Sequence, residues 1–262
     1  MALDLGIAGK VAVVTGGSAG IGRATALRLA REGAAVAICA RQPEPLAAAA
    51  QAIRQETGAS VLAIPTDVRN PEQLRTFFDQ VRAHLGPVAI LVNNAGTAAA
   101  NPFEAVNDDA WQADLDLKLM AAIRCSRLAL PDMRAARWGR IVNLTAISGK
   151  TPGAATLPTS VSRAAGIALT KALSKEVASE GITVNTVCIG TVRSAQIDRM
   201  TQAMYPHLDL EAAYAERAKT IPVGYIPHPD EAADLIAYLV SARAGYITGI
   251  AINFDGGVSP VV

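Results

Sequence analysis

Short, almost uninterrupted apolar runs recur along the chain, spaced by longer amphipathic stretches. This alternation constrains the fold more than any other feature. The runs are VAVVT (11–15), AVAIC (35–39), VLAIPT (61–66), VAILV (88–92), RIVNLT (140–145), ITVNTV (182–187) and ITGIAINF (247–254). Each is short, rich in β-branched residues and apolar at nearly every position, as a strand buried on both faces requires. Between them the pattern predicts helices near 21–32, 43–57, 71–85, 108–136, 160–180 and 230–242. Pro71 and Pro229 fall at helix starts, where a missing N–H is harmless, and Gly33, Gly58, Gly86 and Gly181 follow helix ends. The expected fold is α/β: one doubly wound parallel sheet of about seven strands, with right-handed crossovers placing helices on both faces. No repeat, charge block or linker divides the 262 residues, so a single domain spanning 1–262 is expected.

One stretch breaks the rhythm. Residues 191–228 follow a strand end and carry Met200, Met204, Tyr205, Pro206, Tyr214, Pro222 and Pro227. Open α/β sheets bind ligands beyond the carboxyl ends of their strands, so this excursion is a candidate substrate lid, the alternative being a surface helical hairpin. The 51% hydrophobic content supplies a core, while a net charge of +1 and 4% aromatics give no basis for a nucleic-acid partner. Cys39, Cys125 and Cys188 are far apart, with no CxxC or Cys/His cluster, so neither a disulfide framework nor a metal site is expected. Cys39 and Cys188 read as buried thiols, and the three histidines (His84, His207, His228) as solvent-facing. The start, MALDLGIAGK, lacks the basic region and apolar stretch of a leader, and no run is long enough to span a membrane. A cytoplasmic setting is expected.

The stretch VAVVTGGSAGIGRATAL turns from strand to helix through Gly16, Gly17, Gly20 and Gly22. Glycines there allow a tight turn and let backbone N–H groups approach a diphosphate at a helix N-terminus. Between the first strand and first helix of a doubly wound sheet, this is a strong sign of a dinucleotide site. The next strand ends at Ala40-Arg41, where a ribose-gripping acid would stand for NAD(H). A cation suits a 2′-phosphate, so NADP(H) is favoured over NAD(H). Asp67, after the third strand, is placed to accept from an adenine amino group. The small residues of Asn93-Asn94-Ala95-Gly96 allow the backbone to lie along the cofactor, while the Asn side chains tie loops together.

These motifs in this order, with Thr15, Asp67-Val68, Trp111, GRIVNLT (139–145), GITVNTV (181–187) and YITGIAINFDGG (246–257), resemble the short-chain dehydrogenase/reductase family, closest to its β-ketoacyl-carrier-protein-reductase-like branch. The resemblance covers essentially the whole chain. It implies a Rossmann-like domain, a small-molecule carbonyl or alcohol substrate, and a homo-oligomer (dimer or tetramer). It also assigns Ser18, Ala19, Ile21, Asn94, Ala95, Gly96, Arg163, Gly190 and Val192 to the cofactor alongside the glycines, Arg41, Asp67 and Val68.

The family transfers a hydride to or from nicotinamide and moves the proton with a Tyr, assisted by a Lys four residues on, a Ser and an Asn. Carried over by register without gaps, those four positions fall on Thr159, Arg163, Ala146 and Lys118, so every one is substituted. A Thr hydroxyl is far less acidic than a phenol, Arg cannot deprotonate, and Ala146 offers no hydrogen bond. Lys118, if it points inward, adds a second cation near the pocket floor; with Arg163 it would suit an anionic group or meet nearby acids such as Asp114 or Asp116. Candidate replacement donors are Ser148, Ser160 and, from the lid, Tyr205 and Tyr214. Three readings follow: a non-standard NADP(H)-dependent oxidoreductase with an atypical active site; a pseudoenzyme that braces an active paralogue in a hetero-oligomer or binds NADP(H) as a regulatory ligand; or non-redox chemistry with a resident nicotinamide.

Overall fold

The computed structural model describes residues 4–262; residues 1–3, which open the segment considered as a leader, lie outside the described residues. Seven strands form one parallel sheet: β1 (Val11–Thr15), β2 (Ala35–Ala40), β3 (Val61–Pro65), β4 (Val88–Asn93), β6 (Gly139–Ala146), β8 (Ile182–Ile189) and β9 (Ala251–Phe254). Their spatial order is β3-β2-β1-β4-β6-β8-β9, and a separate antiparallel ribbon pairs β5 (Ala100–Asn101) with β7 (Leu157–Pro158). Strand order reverses between β1 and β4, so a crevice opens there beyond the carboxyl ends.

Helices cover both faces because the strands are apolar on both sides. The face formed by Val14, Ile38, Ile90 and Val92 buries Leu29 of α1 (Gly20–Arg31), Leu46 and Ile53 of α2 (Pro43–Thr57), and Ile236 of α9 (Pro229–Leu239). The opposite face, with Val13, Leu91 and Ile141, buries Phe77 and Phe78 of α3 (Pro71–His84), Met133 of α5 (Ala121–Ala136), and Val177 of α6 (Thr159–Val177). Phe77 and Phe78 meet edge to face at 5.6 Å between ring centroids. Local signals act where the sequence places them. Asn70 accepts from Glu72 N at 2.9 Å to cap α3, with Pro71 at its first position. Gly33, Gly58, Gly86 and Gly181 all take positive φ.

Three boundaries differ from expectation. The last strand begins at Ala251 rather than 247, because Gly249 takes φ +71° and its N–H turns to Val184 O at 2.8 Å. The long helix near 108–136 is α4 (Asp108–Leu115) and α5 joined by a π-helical turn over Asp116–Met120. Residues 191–228 contain α7 (Ala195–Met204) and α8 (Leu210–Ala218), packed as a hairpin around Tyr214, Ala218, Ile221 and Ile226. Among the described residues no helix is long and apolar enough to cross a membrane.

Candidate functional site

A cleft of about 660 Å³ lies across the carboxyl ends of the strands. Such a volume suits a cofactor-sized molecule. Its floor begins at the turn from β1 to α1. Gly16 takes φ +69° and donates to Cys39 O at 2.8 Å, which folds the turn onto β2. Gly22 sits behind the turn rather than on the cleft wall. A Cβ there would lie 2.2 Å from Gly16 O. Gly20 is the reverse case, with φ +54° and nothing within 4 Å of a built Cβ, so its open side faces the cleft it lines. Ala19, the N-cap of α1, supplies no side-chain acceptor, which leaves first-turn N–H groups available to an acceptor in the cleft.

The loop after β4 is pinned to this turn. Thr15 Oγ1 accepts from Asn94 N and Ala95 N, each at 3.0 Å, and Asn94 Nδ2 donates to Thr15 O at 2.9 Å. Asn93 Nδ2 reaches Asn143 Oδ1 at 2.8 Å, binding β4 to β6 at the same level. Gly16, Ser18, Ala19, Gly20, Ile21, Arg41, Asp67, Val68, Asn94, Ala95, Gly96, Arg163, Gly190 and Val192 all line the one cleft. Gly22 does not, nor do Gly17 and Asn93. Arg41 is exposed at the rim. The Asp67 carboxylate is gripped by Arg69 (Nη2 to Oδ2 at 2.6 Å), and this partner holds its pKa below the usual carboxylate value.

At the other end, Ala146 ends β6, and Arg163 lies one turn into α6. Arg163 Nη1 donates to Leu144 O at 2.8 Å, Nη2 lies where a Cβ on Gly96 would be 3.0 Å away, and Nε is buried without a partner. Among the described residues no carboxylate pairs with it, and burial lowers its pKa. Thr159, 9% exposed, lines the cleft as the first residue of α6, and its N–H is held by Ala99 O at 3.3 Å beside the β5–β7 ribbon.

Lys118 does not line the open cleft. The π turn aims it inward, beneath Thr159, with its side chain 1% exposed. Wider π turns recur at functional sites because they redirect one side chain. Lys118 Nζ donates to Thr159 Oγ1 at 2.7 Å and pairs with the Asp114 carboxylate. Asp116 is committed elsewhere, to Arg124 at 3.1 Å. Burial pulls the Lys118 pKa below the ordinary 10.5, and the Arg163 charge adds to this; Asp114 opposes both. Because Nζ donates to Thr159 Oγ1, the threonine's own hydrogen is free to point at an acceptor in the cleft.

The other candidate donors are placed elsewhere. Tyr214 is buried in the hairpin, where its hydroxyl donates to Asp198 Oδ1 at 2.6 Å; burial and Asp198 push its pKa up to about 12. Neither Tyr214 nor Tyr205 lines the cleft, and Ser160 is buried away from it; Ser148 is on the wall. Ser162 carries a contact not anticipated from the sequence: its Oγ donates to Asp114 Oδ2 at 2.6 Å. The signal was its position three residues after Thr159, on the same helix face.

The fold and cleft together define a Rossmann-like α/β protein with a nucleotide-sized crevice at the sheet's switch point and a buried polar cluster of Lys118, Asp114, Thr159 and Ser162 beside it. The chain matches the short chain dehydrogenase family over residues 10–205. It belongs to that family. It is 34% identical over 257 residues to the 3-oxoacyl-acyl-carrier-protein reductase FabG of Pseudomonas aeruginosa, covering 97% of this chain and 99% of the relative. L-sorbose reductase from Gluconobacter frateurii, solved with NADPH and L-sorbose, superposes with a TM-score of 0.95 at 33% identity, covering 99% of this chain and all of that one. An NADPH-bound short chain oxidoreductase from Pseudomonas aeruginosa, described as containing an atypical catalytic center, superposes with a TM-score of 0.91 at 37% identity, covering 98% and 99%.

Proposed function

We propose that this protein is an NADP(H)-dependent oxidoreductase acting on a carbonyl or alcohol substrate, with Lys118 and Thr159 replacing the family's phenol as the proton source. The observation that carries this reading is the 2.7 Å hydrogen bond from Lys118 Nζ to Thr159 Oγ1 at the cleft wall. The glycine turn fits the cofactor, since its first-turn N–H groups and open Gly20 can receive a diphosphate, and exposed Arg41 suits a 2′-phosphate. Asp67, Val68, Asn94, Ala95, Gly96, Gly190 and Val192 hold the rest. Arg163, a half-buried cation on the cleft wall whose Nε has no partner, takes the ribose hydroxyls. When bound, the nicotinamide supplies or accepts the hydride at the substrate carbon.

In the reducing direction, Thr159 gives its proton to the developing alkoxide as it receives one from Lys118, which is left as a neutral amine until solvent reprotonates it. Threonine's intrinsic acidity is then immaterial, because the net donor is the ammonium. Ala146 gives the substrate oxygen no anchor, so Thr159 serves that role as well. The hairpin 191–228 forms the substrate side of the cleft through Val192–Ile197. A reducing, cytoplasmic setting agrees with three free, buried cysteines, and assembly as a homo-oligomer completes the reading.

The second reading, a nucleotide-binding pseudoenzyme bracing an active paralogue, is favoured by one observation: Ala146 has no hydroxyl. Titrating the purified protein with NADPH and NADH, then following NADPH oxidation at 340 nm against a panel of ketones, separates the two. Turnover by the homomer that falls about 10²–10⁴-fold in Thr159→Val, with NADPH affinity retained, supports the first. Tight NADPH binding with no turnover by either protein overturns it in favour of the second.

A further inference from the structure

We propose that Asp114 and Ser162 are positioning residues that hold Lys118 as an ammonium aimed at Thr159. The proposal rests on the reading of Lys118 and Thr159 as the proton source. Its foundation is a closed ring across two helices. From α4, Asp114 pairs with Lys118 one turn on; Lys118 Nζ donates to Thr159 Oγ1 at 2.7 Å; Ser162, on α6 with Thr159, donates to Asp114 Oδ2 at 2.6 Å. Ser162 Oγ also lies 3.0 Å from Thr159 O, so the ring is anchored to the backbone that carries the reacting hydroxyl.

Each member answers a physical problem. A lysine stem is long and its ammonium is strongly hydrated, so burying it to 1% exposure favours the neutral amine. The groups facing Lys118 are Asp114 from α4, Thr159 and Arg163 from α6, and the amides of Asn93 at the end of β4 and Asn143 within β6. Of the charged ones, only Asp114 favours the ammonium; Arg163 is a like charge that repels it. A neutral amine has no proton to pass on in reduction. The carboxylate therefore decides the protonation state. Both its oxygens are engaged, one by Lys118 and one by Ser162, so it cannot rotate away. Asp114 is not the cap of α4: that role falls to Asn107, which accepts from Ala110 N at 2.9 Å.

The test reads Lys118 directly and needs no substrate. The chain has six lysines, so protein labelled with ε-13C lysine gives a resolvable titration, with Lys118→Met assigning the resonance. Asp114→Asn keeps the shape and the acceptor but removes the charge. It is expected to lower the Lys118 titration midpoint by about 1–3 pH units, and Asp114→Glu to restore most of it. Ser162→Ala is expected to move it in the same direction by less than Asp114→Asn. NADPH affinity stays unchanged in all three. The basic limb of kcat in NADPH-dependent reduction moves down with the midpoint, while KM is unchanged. A midpoint that does not move in Asp114→Asn overturns the proposal. If that variant fails to fold, an unmoved midpoint in both Asp114→Glu and Ser162→Ala overturns it. Retention of the wild-type kcat limb in Lys118→Met would instead remove the underlying proton-source reading, so the two failures are distinguishable.

Discussion

Replacing Lys118 by Met separates the energetic role of the buried ion pair from its chemical one. Met preserves most of the stem's volume and removes the ammonium. The Asp114 side chain is 4% exposed and then keeps only the Ser162 hydroxyl as a donor. Removing one partner of a buried pair typically costs about 3–5 kcal/mol, because a charge is left without compensation. A domain of this size has about 5–15 kcal/mol in total, so the loss is a large share. Exchanging both partners, Lys118→Met with Asp114→Leu, removes the stranded charge, and Ser162 can turn to Thr159 O at 3.0 Å. The double variant is expected to recover at least half of the loss, since apolar replacement of a whole buried pair is often neutral or better. Urea unfolding followed by circular dichroism measures all three proteins, with the coupling energy taken from the cycle. Both variants should remain deficient in turnover although one is nearly as stable as the wild type. A loss below about 1 kcal/mol in Lys118→Met, or a double variant no more stable than the single, would refute the picture of a compensated buried pair.

Further outcomes follow from the turn, the rim and the core. Gly22→Ala should abolish the β1–α1 turn, because its Cβ would meet Gly16 O at 2.2 Å; Gly20→Ala meets nothing within 4 Å, so it should fold with about 1 kcal/mol of backbone strain yet bind NADPH poorly, as thermal melts with and without nucleotide will show. Arg41→Ala should reduce the ratio of NADPH to NADH affinity by about tenfold, measured by titration calorimetry. Native protein should resist iodoacetamide at pH 8: all three thiols are buried, and burial pushes the Cys39 pKa up to about 12. Rapid labelling before unfolding, detected by mass spectrometry, would contradict the core placement of Cys39.

The sheet was legible because strand burial on both faces leaves a plain signature, and because proline and glycine punctuate the helices between. The cleft-lining glycine turn and the Asn94–Gly96 loop were legible because a tight turn and a close backbone approach demand small residues at fixed offsets. The β5–β7 ribbon was not, since two residues per strand carry no periodicity. Nor was the π turn, whose residues, Asp116–Met120, have the composition of an ordinary helix. That turn explains why Lys118 points under Thr159 rather than into the open cleft. The i, i+4 spacing of Asp114 and Lys118 was visible, but their burial was not, and burial turns a common surface pair into a charge-setting device. Tyr214 illustrates the converse: an aromatic in a suspected lid reads as a reagent, whereas here it is the hairpin's own core, tied to Asp198.

The most direct test of the account is the pH dependence of ketone reduction by the unmodified, purified homomer at saturating NADPH. The account predicts turnover that falls as pH rises, through one deprotonation with a midpoint below the ordinary lysine value of 10.5, since Lys118 must carry its proton and burial lowers its pKa. Absence of turnover with NADPH bound, or a rate that does not fall with rising pH, would contradict it.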